Sequence, residues 1–285
     1  MLSNSEYFTN MMRTASVLSA SLKRECGITL EQFRILAFLE MQSGHMMQSE
    51  LAGHLQILDS AVSMSVSDLE EKGLLRRVRG DYRNGYELQI LADGRSLFAT
   101  ARQIAWSEVE EMLTKFSSSS RKMMDSIIMT MAGSLDAFFM VDGTIDMCLT
   151  YIEVSSKSQQ NFLRFVRSYK ITPTEYRILY ELKDSTEGVR QRDIANSLLL
   201  KRAQVCRTCK KMEASGLVEL SRNQDDARSV LVKPTKLGLK TIVECAEAYE
   251  SYYLSDIHMM RPGENDFLLK VGKSNASARR RSFLD

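Results

Sequence analysis

Glycine and proline, the residues that most often interrupt regular structure, are scarce in this sequence. There are 14 glycines and 3 prolines in 285 residues, which argues against collagen, a β-sandwich or a disordered chain and favours a mainly helical protein. The length is sufficient for two ordinary domains. No apolar run approaches the roughly 18 residues of a membrane-spanning helix, so no membrane partner is expected.

The sequence also lacks the features of an exported protein. Its N-terminus has no basic segment followed by an apolar core, the pattern of a secretory signal. The five cysteines are odd in number and have no framework spacing, which fits a reducing compartment. We therefore expect a cytoplasmic protein.

Catalytic signatures are missing as well. There is no nucleophile–base pair, paired acid motif, phosphate loop or dinucleotide fingerprint, so neither an enzyme nor a cofactor is expected. Cys206-x-x-Cys209 resembles half of a zinc site, but no second Cys or His pair completes it. We interpret the pair as core packing, with redox sensing as the open alternative.

One segment of the chain recurs 143 residues later without a gap. Residues 28–77 align with residues 171–220 at 13 identical positions, which include the glycine pair Gly73/Gly216. Most of the other apolar positions stay apolar, so the same fold is expected twice rather than a chance match. This predicts two domains, residues 1–143 and residues 144–285.

Each copy follows the same predicted order of elements. In the second copy, Thr172-Pro173 predicts a helix start, and two short helices over residues 190–198 and 202–214 predict a helix-turn-helix. Two alternating segments then predict a β-hairpin, or wing, over residues 217–234. Long helices are expected on both sides of this unit. The fold class is therefore mainly α with small β-hairpin wings.

Charge divides unevenly between the two copies. Residues 1–143 carry a formal net charge of −4 and residues 144–285 one of +6, which together give the +2 of the chain. The second copy is therefore the one suited to a polyanion.

The order of elements resembles the MarR family of bacterial regulators. The resemblance rests on residues 205–218, on the wing motif Asp226-x-Arg228 and on Thr235-x-x-Gly238, with a matching pattern in the first copy. It implies two tandem winged helix-turn-helix domains packed as an intrachain pseudo-dimer through long flanking helices. It also implies that one helix of each copy enters the major groove and that a wing arginine contacts the minor groove. A further homodimer and a small-molecule effector stay open.

In the second copy, the outward face of the helix over residues 202–214 is the predicted contact with double-stranded DNA. Val205, Cys209 and Met212 recur at helical spacing and should be buried, which turns basic residues outward. The corresponding helix of the first copy is acidic and should contribute less. The candidate DNA-binding residues are Arg202, Ala203, Gln204, Arg207, Lys210, Lys211, Arg222 and Arg228 in the second copy, and Ser60, Ser63, Met64, Ser67, Arg79 and Arg83 in the first.

These residues predict a sequence-specific transcription regulator in which the second copy dominates. The alternative is a protein-interaction or ligand-sensing scaffold whose winged helices no longer read DNA. The chain has 17 methionines, which suit either adaptable core packing or a plastic ligand pocket. In the first copy the candidate ligand pocket comprises Tyr7, Met11, Phe33 and Trp106.

Overall fold

The computed structural model describes residues 4–79, 86–114, 117–141, 143–198, 200–222 and 229–257, and the side chains of residues 4–14, 112, 250 and 252–257 lie outside that description. The chain forms two compact units. We call Thr14–Gln160 the first unit, and Asn161–Asp285 together with Met1–Arg13 the second unit. The boundary between the two units at Gln160 and Asn161 falls inside a helix that runs from Met147 to Ser168. The domain boundary at residue 143 stays a prediction from the repeat.

Helices dominate both units, and short antiparallel strands complete them. The helices are α1 (Asn4–Cys26), α2 (Leu30–Met41), α3 (Gln48–Leu55), α4 (Asp59–Glu71), α5 (Ala92–Leu113), α6 (Ser118–Leu135), α7 (Met147–Ser168), α8 (Pro173–Leu182), α9 (Gln191–Leu198), α10 (Arg202–Ala214) and α11 (Lys236–Ile257). The strands are β1 (His45–Met47), β2 (Leu75–Arg79), β3 (Tyr86–Ile90), β4 (Met140–Val141), β5 (Thr144–Ile145), β6 (Val189–Arg190), β7 (Val218–Arg222) and β8 (Val230–Pro234).

Matching caps start the same helix in both units. The Thr172 side chain accepts a hydrogen bond from the Glu175 backbone N–H, and the Glu175 side chain accepts one from the Thr172 backbone N–H. Thr29 and Gln32 form the same reciprocal pair at the start of α2. Each pair satisfies two N–H groups that a helix end leaves without partners. The helix start predicted at Thr172-Pro173 is therefore confirmed.

The predicted hairpins are present, but each has a third strand. The strand orders are β1-β3-β2 and β6-β8-β7, all antiparallel. In the second unit Val189 pairs with Val232 and Arg190 with Leu231. Arg190 was expected to begin a helix, which is wrong because its backbone is in the β6–β8 ladder. Strands this short contain no alternation from which pairing could be predicted.

A buried arginine holds the end of a short helix in each unit. The Arg34 guanidinium donates to the Leu55 carbonyl at 3.1 Å, and the Arg177 guanidinium donates to the Leu198 carbonyl at 2.5 Å. Leu55 ends α3 and Leu198 ends α9, so these carbonyls lack the usual helical partner. This hydrogen bond gives a physical reason for an arginine at both position 34 and position 177.

A glycine is required where each wing meets the following long helix. A Cβ on Gly94 would lie 2.0 Å from the Leu74 carbonyl oxygen, and one on Gly238 would lie 2.0 Å from the Leu217 carbonyl oxygen. Both obstacles are backbone atoms that cannot turn aside. We expect Gly94→Ala to destabilise the first unit by about 3 kcal/mol, as overpacking does. Urea unfolding followed by the fluorescence of the single tryptophan, Trp106, measures this effect.

Gly53→Ala is the matched control for this substitution. Gly53 lies inside α3, and a Cβ there would meet nothing within 4 Å. Alanine should stabilise the helix by about 0.5–1 kcal/mol. A Gly94→Ala protein as stable as the wild type would contradict the close approach of the two backbones.

Candidate nucleic-acid interface

Helix α10 is anchored to the second unit through one face. Val205, Cys209 and Met212 have no exposed surface, which confirms the predicted inward face. The following Gly216 has a φ of +73°, the left-handed conformation that ends many helices. The remaining faces of α10 therefore point away from the core.

Four cations occupy the outward faces of α10. Arg202, Arg207, Lys210 and Lys211 are exposed, as is Ala203, while Gln204 is half-buried. Within the part of the chain that the structure describes, none of the four cations forms an ion pair. Their charges are therefore available to an external anion.

The single acidic residue of α10 is engaged with the wing. The Glu213 carboxylate accepts a hydrogen bond from the Leu220 backbone N–H at 3.2 Å. Glu70, its counterpart in α4, likewise accepts from the Arg77 backbone N–H at 2.9 Å. In both units this glutamate connects the second helix of the pair to the first strand of the wing, which explains its identity across the repeat.

The first strand of the second unit's wing ends in an exposed cation. Arg222 ends β7, where it pairs with Val230, and its side chain is exposed. Arg79 is its counterpart at the end of β2 and is exposed as well. The predicted contact residues Arg228 and Arg83 lie outside the described residues.

Helix α4 has the same anchoring as α10 but a different outward surface. Val62, Val66 and Leu69 are fully buried. Ser60 is exposed, Ser63 and Ser67 are half-buried, and Met64 is 73% exposed. At the 143-residue offset, Leu58, Asp59, Met64, Ser67 and Asp68 occupy the positions of Lys201, Arg202, Arg207, Lys210 and Lys211.

Arg77, a wing cation of the first unit, is turned inward onto α4. Its guanidinium forms an ion pair with Glu70 and donates to Gln48 at 3.0 Å, to Ser67 Oγ at 3.1 Å and to the Ser63 carbonyl at 3.4 Å. Its charge is compensated internally, so it adds little attraction for a phosphate.

The acidic character of α4 is maintained by local hydrogen bonds. Lys72 Nζ donates to the Asp68 carboxylate at 2.6 Å, and Gln32 donates to the same group. These bonds, with Lys72 as the largest cause, lower the pKa of Asp68 from its ordinary value. Asp68 therefore remains ionised at neutral pH, in the position where the second unit has Lys211.

Three of the five cysteines, Cys148, Cys209 and Cys245, are buried in the interior. All five are free thiols; Cys206 is half-buried and Cys209 is buried. Burial raises the pKa of the Cys209 thiol to about 11, so it is protonated and a poor nucleophile at neutral pH. The described residues contain no group of three or more His, Cys, Asp and Glu side chains that could hold a metal ion. Core packing therefore accounts for Cys209.

The candidate ligand pocket is only partly covered by the described side chains. Phe33 is fully buried and stacks on Phe98 with ring centroids 5.6 Å apart, so it has no surface open to a ligand. Trp106 is 40% exposed on α5. The side chains of Tyr7 and Met11 lie outside the described residues. Phe33 therefore belongs to the core, and the pocket remains a prediction.

A helix pair followed by a hairpin, with the second helix exposed, defines a winged helix-turn-helix protein, and this chain contains the arrangement twice. The MarR family profile matches residues 27–83 and again residues 169–229. Each match covers one of the two winged helix-turn-helix arrangements, so the chain carries a domain of the MarR family of transcription regulators twice in tandem. Among the helices that the structure describes, none has the length and apolar character needed to cross a bilayer.

Known proteins similar to the chain include relatives of nearly its full length. The HTH-type transcriptional regulator SarU of Staphylococcus aureus strain COL is 22% identical over 240 residues, which cover 82% of this chain and 88% of SarU. SarU of strain MW2 matches equally. Among solved structures, AbsC from Streptomyces coelicolor is 24% identical over 46% of this chain and 90% of its own, with a TM-score of 0.40. MepR of S. aureus is 18% identical over 47% and 95%, with a TM-score of 0.37.

Proposed function

We propose that this chain is a transcription regulator that binds specific duplex DNA sequences, with α10 as its main reading element. In this proposal α10 enters the major groove, and the wing arginines contact the backbone or the minor groove. The observation that carries the proposal is the exposure of four cations, none paired with an acidic group among the described residues, on a helix whose other face is buried in the core. The SarU relatives are named as transcriptional regulators and match most of the chain, which supports the same role here.

The residue types on α10 suit both contacts with base edges and contacts with phosphates. Arginine can form two hydrogen bonds with guanine, as Arg202 or Arg207 could, and glutamine can do the same with adenine, as Gln204 could. Lys210 and Lys211 can neutralise phosphates, which contributes affinity without sequence preference. Arg222 has the same capacity at the tip of the wing.

The two units should contribute unequally. Every cationic position of α10 is apolar, polar or acidic in α4, and Arg77 is compensated by Glu70. Acidic groups near phosphates oppose binding, so α4 adds little affinity. Two unlike reading helices also suit an asymmetric operator rather than a palindrome, whose symmetry matches two equal helices.

Arg207→Ala tests this assignment in the full-length protein. With a duplex enriched by the wild-type chain from a random-sequence library, we expect affinity to fall by about tenfold, since one arginine–guanine contact is worth about 1–3 kcal/mol. Fluorescence anisotropy over a range of salt concentrations measures the affinity and its salt dependence. Lys122→Ala, which removes an exposed cation on α6, should leave both unchanged.

Met64→Ala is the matched variant in α4, because residue 64 occupies the position of Arg207. Its affinity should stay within about twofold of the wild type, since methionine makes no ionic contact with phosphate. An unchanged affinity for Arg207→Ala together with a lost affinity for Met64→Ala would assign DNA reading to the first unit. If the chain were a scaffold alone, it would show no salt-dependent binding to any duplex.

A further inference from the structure

The β2–β3 ladder of the first unit ends in two exposed side chains, an arginine and a tyrosine. Arg79 and Tyr86 are directly opposite each other in the antiparallel register, and both are exposed. Tyr86 is 54% exposed, more than any other phenylalanine, tyrosine or tryptophan that the structure describes. Neither side chain makes a hydrogen bond, ion pair or ring contact with another described residue. Because the Cβ atoms of opposite residues are about 5 Å apart, the two side chains form one surface, the Arg79–Tyr86 surface.

The Arg79–Tyr86 surface lies on the face of the sheet that contacts α4. Side chains alternate between the two faces of a strand, so Arg79 shares its face with Arg77, and Tyr86 shares its face with the buried Leu88. On this face Arg77 forms its ion pair with Glu70 of α4. The Arg79–Tyr86 surface therefore continues the α4 side of the sheet into the part that the described residues leave exposed.

The charge of this surface suits a polyanion. Glu87 is the single acidic residue of β2 and β3, and it lies on the opposite face of the sheet, where its carboxylate is 3.0 Å from His45 Nδ1. Arg79 has no acidic partner among the described residues. The second unit has no equivalent of this surface, because Arg222 at the end of β7 pairs with Val230 and not with an aromatic residue.

An arginine beside an aromatic ring is complementary to the minor groove of duplex DNA. The negative potential of a narrow minor groove attracts arginine, and proteins that bind this groove combine such cations with large apolar side chains. We infer that Tyr86 is a further DNA-contact residue, whose ring packs against deoxyribose at the edge of the groove that receives Arg79. The inference rests on the proposed function, and it gives the first unit a contact that the acidic helix α4 does not provide.

Tyr86→Val tests the inference with the residue that the second unit has at the same position of its ladder. Valine keeps the preference for a strand and removes the ring. On the duplex enriched by the wild-type chain, we expect the affinity to fall about fivefold, the effect of burying roughly half an aromatic side chain. The salt dependence should be unchanged, because no charge is removed. Tyr86→Phe keeps the ring, so its affinity should stay within about twofold of the wild type. Fluorescence anisotropy measures all of these quantities.

Hydroxyl-radical footprinting of the same complexes locates the contact. The radicals attack deoxyribose from the minor groove, so a ring packed on a sugar protects that sugar. We expect Tyr86→Val and Arg79→Ala to lose protection of the same sugars. Arg207→Ala should lose protection elsewhere, because it removes a side chain of α10. Loss at unrelated sugars in Tyr86→Val and Arg79→Ala would contradict a shared contact.

Arg76→Ala is the control within the same strand. Arg76 lies on the opposite face of the sheet, where its guanidinium donates to Gln89 Oε1 at 2.9 Å, so its affinity should change by less than about twofold. The inference is overturned if Tyr86→Val binds as tightly as the wild type, or if Arg76→Ala or Tyr86→Phe weakens binding to the same extent. It is also overturned if Tyr86→Val lowers the unfolding midpoint followed by Trp106 fluorescence, since the ring would then serve the fold. A wild-type chain without salt-dependent binding to any duplex would contradict the proposed function and this inference together.

Discussion

Reversing the charge at two positions of α10, Arg207→Glu together with Lys211→Glu, is expected to abolish detectable binding to duplex DNA. The double variant removes two cationic contacts worth about 1–3 kcal/mol each and adds two anions that repel phosphates, so the expected loss is about a thousandfold. Both side chains are exposed and unpaired within the described part of the chain, so the fold should be unaffected. Anisotropy measures the binding, and circular dichroism checks the fold.

Met64→Glu provides the matched control, since it places the same negative charge at the equivalent position of α4. We expect its DNA affinity to remain within about threefold of the wild type, because α4 already carries Asp59, Asp68 and Glu71. Should the α10 variant lose less than tenfold while Met64→Glu loses more, the two helices would have the opposite roles. Weakening of both to the same extent would indicate equal contributions and a symmetric mode of binding.

The helix pair of the second unit could be predicted closely from its sequence. The bounds 202–214 for α10, the cap at Thr172 and the helix end at Gly216 all agree with the structure. These features depend on local chemistry, namely a threonine that accepts backbone N–H groups, a glycine that tolerates positive φ and apolar residues at helical spacing. The inward positions of Val205, Cys209 and Met212 follow from the same spacing.

Features that depend on distant residues were not predicted. The ion pair of Arg77 with Glu70 depends on how β2 packs against α4, which the sequence alone does not show. The third strands β1 and β6 exist only through pairing with β3 and β8. The role of Phe33 also depended on tertiary packing. An aromatic residue fits a core or a ligand pocket equally well in the sequence, and only its complete burial assigns it to the core.

Removing the Glu153 carboxylate is expected to cause a large loss of stability in the first unit. The Arg34 guanidinium donates to both oxygens of Glu153, with both distances 2.7 Å, and the two side chains are 5% and 1% exposed. Lys157, also buried, lies 3.7 Å from the same carboxylate. Glu153→Ala leaves both cations buried without their counter-ion, which costs about 3–5 kcal/mol. Urea unfolding of the full chain, followed by Trp106 fluorescence, reports on this unit.

The double variant Arg34→Met/Glu153→Leu distinguishes buried charge from lost packing. It leaves one buried cation, Lys157, without the Glu153 carboxylate instead of two, so it should be more stable than Glu153→Ala. It should still be less stable than the wild type, because the Leu55 carbonyl loses the donor that Arg34 provides. Equal losses in the single and double variants would mean that packing between α2 and α7, rather than the ion pair, determines the effect. Arg177→Met removes the donor to the Leu198 carbonyl within the second unit, so we expect it to leave the Trp106 transition of the first unit unchanged.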